Sequence, residues 1–265
     1  MRARTLAAAG IAVFVATAAV AVTAPEAKRA KAKKKRKRAK RPSSNAPKGW
    51  TWPPSAPMKR QGKACLKTLR ELGVAFERGK RARRIATPVV VEDMTFGGVA
   101  LVPRFRKPPF PMDCHLAVSL ARIGPALREL GVAKLRFSTI HDYRRVRVNG
   151  SVKNTLSRHS FGLAVDVYEM VTDDGTLWTV ETDYHAGDSV LHEVEDTVNA
   201  SGAFRMLLTP QNDAKSHDDH YHFEAEVPEP ELTDEERKAE RAERKKQRRK
   251  ARKKRNKRRR SKRRR

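Results

Sequence analysis

Apolar positions fall into blocks of different period along the chain. Residues 6–22 are an almost unbroken apolar run with only small residues between. From Ala64 the period becomes helical, with Leu66, Leu69, Leu72 and then Val74 or Phe76 on one stripe. The segment TPVVVEDMTFGGVALVP holds two β-rich runs around Gly97-Gly98 and predicts a hairpin. Asp113 stands where a helix cap belongs. The helix behind it carries Leu116, Val118, Leu120, Ile123 and Leu127 and stops near Gly131. Pro125 lies inside it, where proline kinks or splits a helix. Residues 134–140 alternate as a strand does, 144–158 are polar and basic and predict a loop, and GLAVDVYEMV at 162–171 predicts a core strand. Residues 177–180 pair back across Asp173-Asp174-Gly175, 189–200 are helical, and 221–227 form the last strand. Helices and strands do not alternate regularly. The pattern therefore predicts an α+β domain, a small and mostly antiparallel sheet with flanking helices. No internal repeat is visible.

Charge divides the chain more sharply than hydropathy does. The net charge is +29 over 265 residues. Residues 28–41 hold 11 Lys/Arg and no acid, and residues 237–265 hold 21 Lys/Arg against Glu240 and Glu243. The foldable middle, 42–236, is left with a net charge of −2. Like charges in a run repel and bury no core, so both tracts are expected to be disordered. As polycations they would bind anionic envelope polymers or lipids, and nucleic acid only without reading its sequence. The plainer use is a solubilising tail. A nearly neutral middle argues against nucleic-acid recognition as the main function.

Arg2 and Arg4, the apolar run, and small residues at Ala19, Ala21 and Ala24 have the layout of a secretory signal peptide, cleaved after Ala21 or Ala24. The run is also long enough to be an uncleaved anchor. The division expected is a leader at 1–24, a basic and Pro/Ser-rich linker at 25–60, a folded domain at 61–230 and a basic tail at 231–265. Trp50 and Trp52 in the linker are placed to pack on the domain or to meet a ligand. Export, to the periplasm, envelope or exterior, agrees with the cysteines. Cys65 and Cys114 are the only two, no CxxC is present, and an even count in an oxidising compartment predicts a bridge. Two buried free thiols are the alternative.

Four of the eight histidines lie in two short stretches, SRHSFGLAVD at 157–166 and HDDHYHFE at 217–224. Imidazole and carboxylate are ligands that suit zinc, and a catalytic zinc site takes three from the protein and leaves one position open. On a strand, residues two apart face the same side, so His220 and His222 point into one cavity and Tyr221 away. Gly162 and Ala164 allow close backbone approach, which lets a loop histidine and a strand carboxylate converge. Either motif alone is weak evidence. Their coincidence in one domain predicts a single zinc site.

SRHSFGLAVD resembles the SxHxxGxAxD motif of the zinc D-Ala-D-Ala carboxypeptidases and dipeptidases. HDDHYHFE is similar to the HxH motif of the penicillin-insensitive murein endopeptidases and the hedgehog signalling domain. The pattern from the Cys65 helix through DCHLAVSLARIGPAL and FRMLLTPQNDAKSHDDHYHFE, about residues 62–227, resembles the bacterial extensin-like C-terminal domain family. These likenesses imply a fold of the hedgehog/D-Ala-D-Ala peptidase type. They imply His159, Asp166 and His222 as zinc ligands, with His217 and His220 lining the site. Asp219 stands where the carboxypeptidases carry a glutamate base, one methylene shorter. Arg144, or else Arg145, matches their oxyanion-steadying arginine. The extensin-like pattern has a further cysteine that residues 82–86 lack. The implied activity is zinc-dependent hydrolysis of peptidoglycan peptides by metal-activated water. The alternative is a zinc domain without catalysis that binds the wall or a partner. The proton acceptor stays open between Asp219 and His220, with His217 behind them.

Overall fold

The computed structural model describes residues 43–148 and 150–263. The expected leader and the basic tract at 28–41 lie outside them. A two-residue strand, β1 (Ser43–Ser44), precedes helix α1 (Ala56–Glu71). Then come β2 (Phe76–Arg78), β3 (Pro88–Val91), β4 (Thr95–Phe96), β5 (Val99–Pro103) and β6 (Met112–Asp113). Helix α2 (Cys114–Glu129) leads into the long strand β7 (Val132–Thr139). Next are β8 (Arg145–Val148), β9 (Ser151–Leu156), a 3-10 turn (Arg158–Phe161) and β10 (Ala164–Thr172). The chain continues through β11 (Leu177–Thr179), α3 (Val180–Asp183), α4 (Ser189–Ala200), β12 (Phe204–Leu208), α5 (Pro210–His217), β13 (Tyr221–Ala225) and α6 (Asp234–Arg263).

The α+β class is as the pattern predicts. Seven strands form the main sheet in the order β12-β13-β10-β7-β5-β4, with β11 also paired to β10. Every pairing in it is antiparallel except β5 with β7. β10 is the centre, buried from Ala164 to Val167, which is why its sequence is apolar almost without break. α2 covers the sheet and is buried along most of its length. Asp113 caps it by accepting a hydrogen bond from the His115 amide. Pro125 neither splits nor ends it. The β4–β5 turn sits against this point of the helix, so close that a Cβ on Gly124 would lie 2.1 Å from the Phe96 carbonyl oxygen.

Several elements differ from the sequence pattern, each for a local reason. The Gly97-Gly98 turn joins β5 to the short β4, while the Val-rich run, β3, pairs with β2 and β6 in a separate sheet. Residues 144–158, read as loop, contain the β8–β9 hairpin; both strands are mostly exposed, so no apolar face marks them. α1 starts inside the Pro/Ser-rich segment read as linker, because Pro57 in a first helical turn loses no hydrogen bond. Trp50 packs against His115 and Phe161. The C-terminal tract, expected without structure, runs as α6 over Asp234–Arg263 and is exposed from 237 to 253. Its Glu, Lys, Arg and Ala residues are strong helix formers. Its first turn is tied to the domain by Arg60, whose guanidinium meets the Glu236 carboxylate at 2.7 Å. Among the described residues no helix is long and apolar enough to cross a membrane.

Cys65 and Cys114 form a disulfide. It ties the middle of α1 to the first residue of α2 across a sequence separation of 49. The chain-entropy estimate for a loop of that size is about 4 kcal/mol. Thiol labelling of the native protein is expected to find no free cysteine. Reduction is expected to lower the unfolding free energy by up to about 4 kcal/mol in urea titrations. Two labelled thiols in the native state would rule the bridge out.

Candidate metal centre

Antiparallel pairing of β10 with β13 sets Asp166 directly opposite His222. Directly paired side chains leave the same face of a sheet, so both enter one site. His159 arrives from the 3-10 turn. Ser157 accepts a hydrogen bond from the His159 amide at the start of that turn, and Gly162 closes it at φ 65° in the left-handed region. A Cβ on Gly162 would meet the Asp113 amide at 2.9 Å, so glycine is needed here for space as well as for φ. Ser160 is fully buried and ties the turn to the next loop: its hydroxyl donates to the Arg144 carbonyl at 2.8 Å and accepts from the Arg144 amide at 3.0 Å.

Three donor atoms meet. His159 Nε2 lies 3.0 Å from Asp166 Oδ1 and 3.2 Å from His222 Nδ1, and the last two are 2.7 Å apart. All three residues are buried. Each imidazole has its other nitrogen engaged. His159 Nδ1 donates to the Ile140 carbonyl at 3.0 Å, and His222 Nε2 faces Glu224 Oε1 at 3.3 Å. Those contacts fix the tautomers and leave His159 Nε2 and His222 Nδ1 as the inward lone pairs, as metal-binding histidines require. Ligands about 2.0–2.1 Å from a tetrahedral zinc lie about 3.3 Å from one another, and the observed triangle is within about 0.6 Å of that. The donor set therefore fits a metal ion.

Charge in the cluster is shared. Burial pushes the His159 imidazole down from its ordinary value. Burial opposes the charged form of Asp166 too, but the two histidines outweigh it and hold the carboxyl well below the usual range. Burial also opposes a charge on His222, yet hydrogen bonds to Asp166 and Glu224 raise it to about 9. A cation seated between the three donors would take the place of that imidazole proton.

A cavity of about 280 Å³ opens beside the donors, with Arg144, Arg147, Asp166, Tyr168, His217 and His220 in its walls. His220 Nε2 is 3.7 Å from Asp166 Oδ1, and its Nδ1 is 2.6 Å from Asp219 Oδ1. Tyr168 stacks on the His220 ring at 4.7 Å. His217 is held by Asp213 at 2.8 Å; burial and the neighbouring histidines push it down to about 4. Of the two arginines considered, Arg144 reaches the site, its Nη2 3.5 Å from Asp166 Oδ2, while Arg145 is exposed on β8.

Every residue singled out in the two histidine motifs is thus brought to one place. Asp219 alone stands back, its carboxylate 2.6 Å from the His220 ring nitrogen. Three neighbours were missed. Tyr168 is two residues beyond Asp166 on a strand, and Glu224 two beyond His222, so the two-residue period would have placed both on the site's face. The Ile140 carbonyl carries no sequence signal.

The family model described as extensin-like protein C-terminus matches residues 63–230. The chain belongs to that family. The match begins two residues inside the expected domain and ends at its expected last residue. Neither curated proteins nor solved structures give a match to this extensin-like chain.

Behind the donors, the extensin-like domain buries a line of charge. Glu224 is bonded to Arg205 at 2.6 Å and lies 3.7 Å from Arg158, which is 6% exposed. Burial lowers the Arg158 guanidinium to about 10, against the pull of Glu224. Removing one member of a buried pair leaves the other charge uncompensated and typically costs about 3–5 kcal/mol. Glu224→Ala is expected to destabilise the fold on that scale in urea titrations. Arg205→Ala, at a half-buried side chain, is expected to cost less. Equal, small effects would mean that Glu224 does not neutralise Arg158.

Proposed function

We propose that this extensin-like domain is a zinc-dependent peptidase acting on cell-wall peptides, related in mechanism to the D-Ala-D-Ala carboxypeptidases and murein endopeptidases that its motifs resemble. The observation that carries the reading is the donor triangle of His159 Nε2, Asp166 Oδ1 and His222 Nδ1, with both histidine tautomers fixed from outside. Zinc bound there would acidify a water molecule and polarise a carbonyl.

The protein's own groups divide the remaining work. Asp219 holds His220 Nδ1, which leaves Nε2 as an acceptor at the cavity wall. His220 is therefore the proposed proton acceptor and later donor to the leaving amine, and Asp219 its orienter. Tyr168, stacked on the ring, keeps it from turning. His217, held neutral near pH 7, offers a second imidazole without adding charge. Arg144 projects a guanidinium to the edge of the cluster, where it can meet a developing oxyanion. Export is part of the reading, supported by the leader-like N-terminus and by a disulfide that an oxidising compartment maintains. The basic tails are proposed to hold anionic envelope polymers.

The test is digestion of purified muropeptides with zinc-replete protein, followed by mass spectrometry. Wild type is expected to give a product pair whose masses sum to that of the substrate plus one water. Chelator and His159→Ala should abolish it, and metal analysis should find no zinc in the variant. His220→Ala should keep its zinc and lose about 10²–10⁴ in rate. Asp219→Asn should also keep zinc and slow by less. If zinc-loaded wild type cleaves no muropeptide, catalysis is not its role and the non-catalytic zinc-domain reading replaces it. If His222→Ala retains stoichiometric zinc, the ligand assignment is wrong.

A further inference from the structure

A second cavity, larger than the one beside the donors, lies elsewhere on the domain. It has a volume of about 620 Å³, within the range of ligand-binding clefts. The start of α1, the Trp52-Pro53-Pro54 segment and residues 78–88 form its walls. Its lining contains Lys59, Lys63, Arg78 and Arg81 and no acidic residue. Leu66 and Ile85, both buried, supply an apolar floor. Gly62 brings α1 close to the opposite wall: a Cβ there would lie 2.3 Å from Thr87 Oγ1.

Three features set these cations apart. First, among the described residues none of the four lies within 4.0 Å of a carboxylate, whereas Arg60 and Lys67 on the same helix are paired to Glu236 and Glu71. Second, Lys59 and Lys63 are one helical turn apart, and like charges at that spacing destabilise a helix by about 0.2–0.5 kcal/mol. Third, Arg84, which precedes Ile85 of the floor and is not itself in the lining, adopts φ 69°, in the left-handed region a non-glycine residue rarely takes, and holds its guanidinium 5.5 Å from the Trp52 ring centre. Repulsion and backbone strain both gather at this groove. Strain of this kind clusters at active sites and ligand clamps.

We propose that this groove is a second binding site, for an extended acidic peptide with a large apolar side chain. The carboxylates would pair with the rim cations, and the apolar side chain would rest on Leu66 and Ile85. The shape favours this occupant over a nucleic-acid duplex, because the floor is apolar. The site shares no lining residue with the cavity beside the donors, so it stands or falls independently of the peptidase reading.

The experiment uses the full chain and two labelled probes, an octapeptide alternating Glu and Leu and a hexaglutamate, each followed by fluorescence anisotropy at physiological salt. The basic tails bind both probes, and the groove adds affinity only for the first. Lys63→Glu/Arg81→Glu changes two exposed side chains, and unchanged thermal unfolding will show that the fold is intact. The double variant is expected to bind the Glu-Leu peptide at least tenfold more weakly and hexaglutamate within about twofold of wild type. Lys59→Gln should give a smaller loss in the same direction. Replacing Leu by Ala in the peptide should also weaken binding to wild type severalfold. Equal affinity of wild type and double variant for the Glu-Leu peptide would overturn the proposal, as would indifference to the Leu-to-Ala change. Stronger capture of anionic lipid vesicles or of a DNA oligonucleotide than of the peptide, lost in the same variant, would overturn the choice of occupant.

Discussion

The register between β10 and β13 is the constraint on which the site depends. Asp166 faces His222 only because Ala164 pairs with Glu224 and Val167 with Tyr221. A slip of one residue would turn His222 into the core and bring Tyr221 or Phe223 to the site. The burial pattern forbids it. Tyr221 and Phe223 are fully buried on the other face, and the Tyr221 hydroxyl donates to the Leu191 carbonyl on α4. The packing of two aromatic side chains thus sets the position of His222 between them, and with it the pairing with Asp166. The His159 turn is then held to this frame by backbone contacts, with Asp113 bonded to the Gly162 carbonyl and Ala225 to that of Leu163.

A buried cluster of two histidines and two carboxylates is costly unless every charge has a partner. The structure meets this with a chain of contacts that runs from Asp166 through His222 and Glu224 to Arg158 and Arg205. The same chain fixes ring orientation, since a histidine bonded on one nitrogen cannot flip without losing that bond. Stability and chemistry here rest on the same atoms. On the cavity side the arrangement is looser. His217 is held by Asp213, His220 by Asp219 and the Tyr168 ring, and the Arg144 guanidinium reaches Asp142 and Asp166 only at 3.6 and 3.5 Å.

What the sequence disclosed follows the same division. The donor residues were legible because the chemistry packs several unusual residues into two short motifs, and β10 and β13 were legible because strands buried this deeply are apolar. The β8–β9 hairpin carries Arg144 beside its first strand, yet its Arg, Lys and Asn residues face water on both sides and leave no period to read. Which strand joins which was also hidden. Val89 and Val91 pair toward Phe76 and Met112, and nothing in a run of valines names its partner. Proline misled at the start of α1, where Ser-Ala-Pro was taken as linker and is a helix beginning. Strand alternation and the likeness to a glutamate base leave Asp219 open between base and orienter of His220, and its carboxylate lies 2.6 Å from the His220 ring nitrogen.

The anchored start of α6 gives the basic tail a geometric meaning beyond its charge. Arg60 holds Glu236 and the Glu231 carbonyl, and Lys48 holds Glu229, so the helix leaves the domain from a fixed point. Its 30 residues span about 45 Å at 1.5 Å each. A polymer caught anywhere along it stays within that radius of the domain. One molecule confined to such a volume has an effective concentration on the order of millimolar. The tail would thus act as a tether, keeping successive segments of a single anionic strand close to the domain.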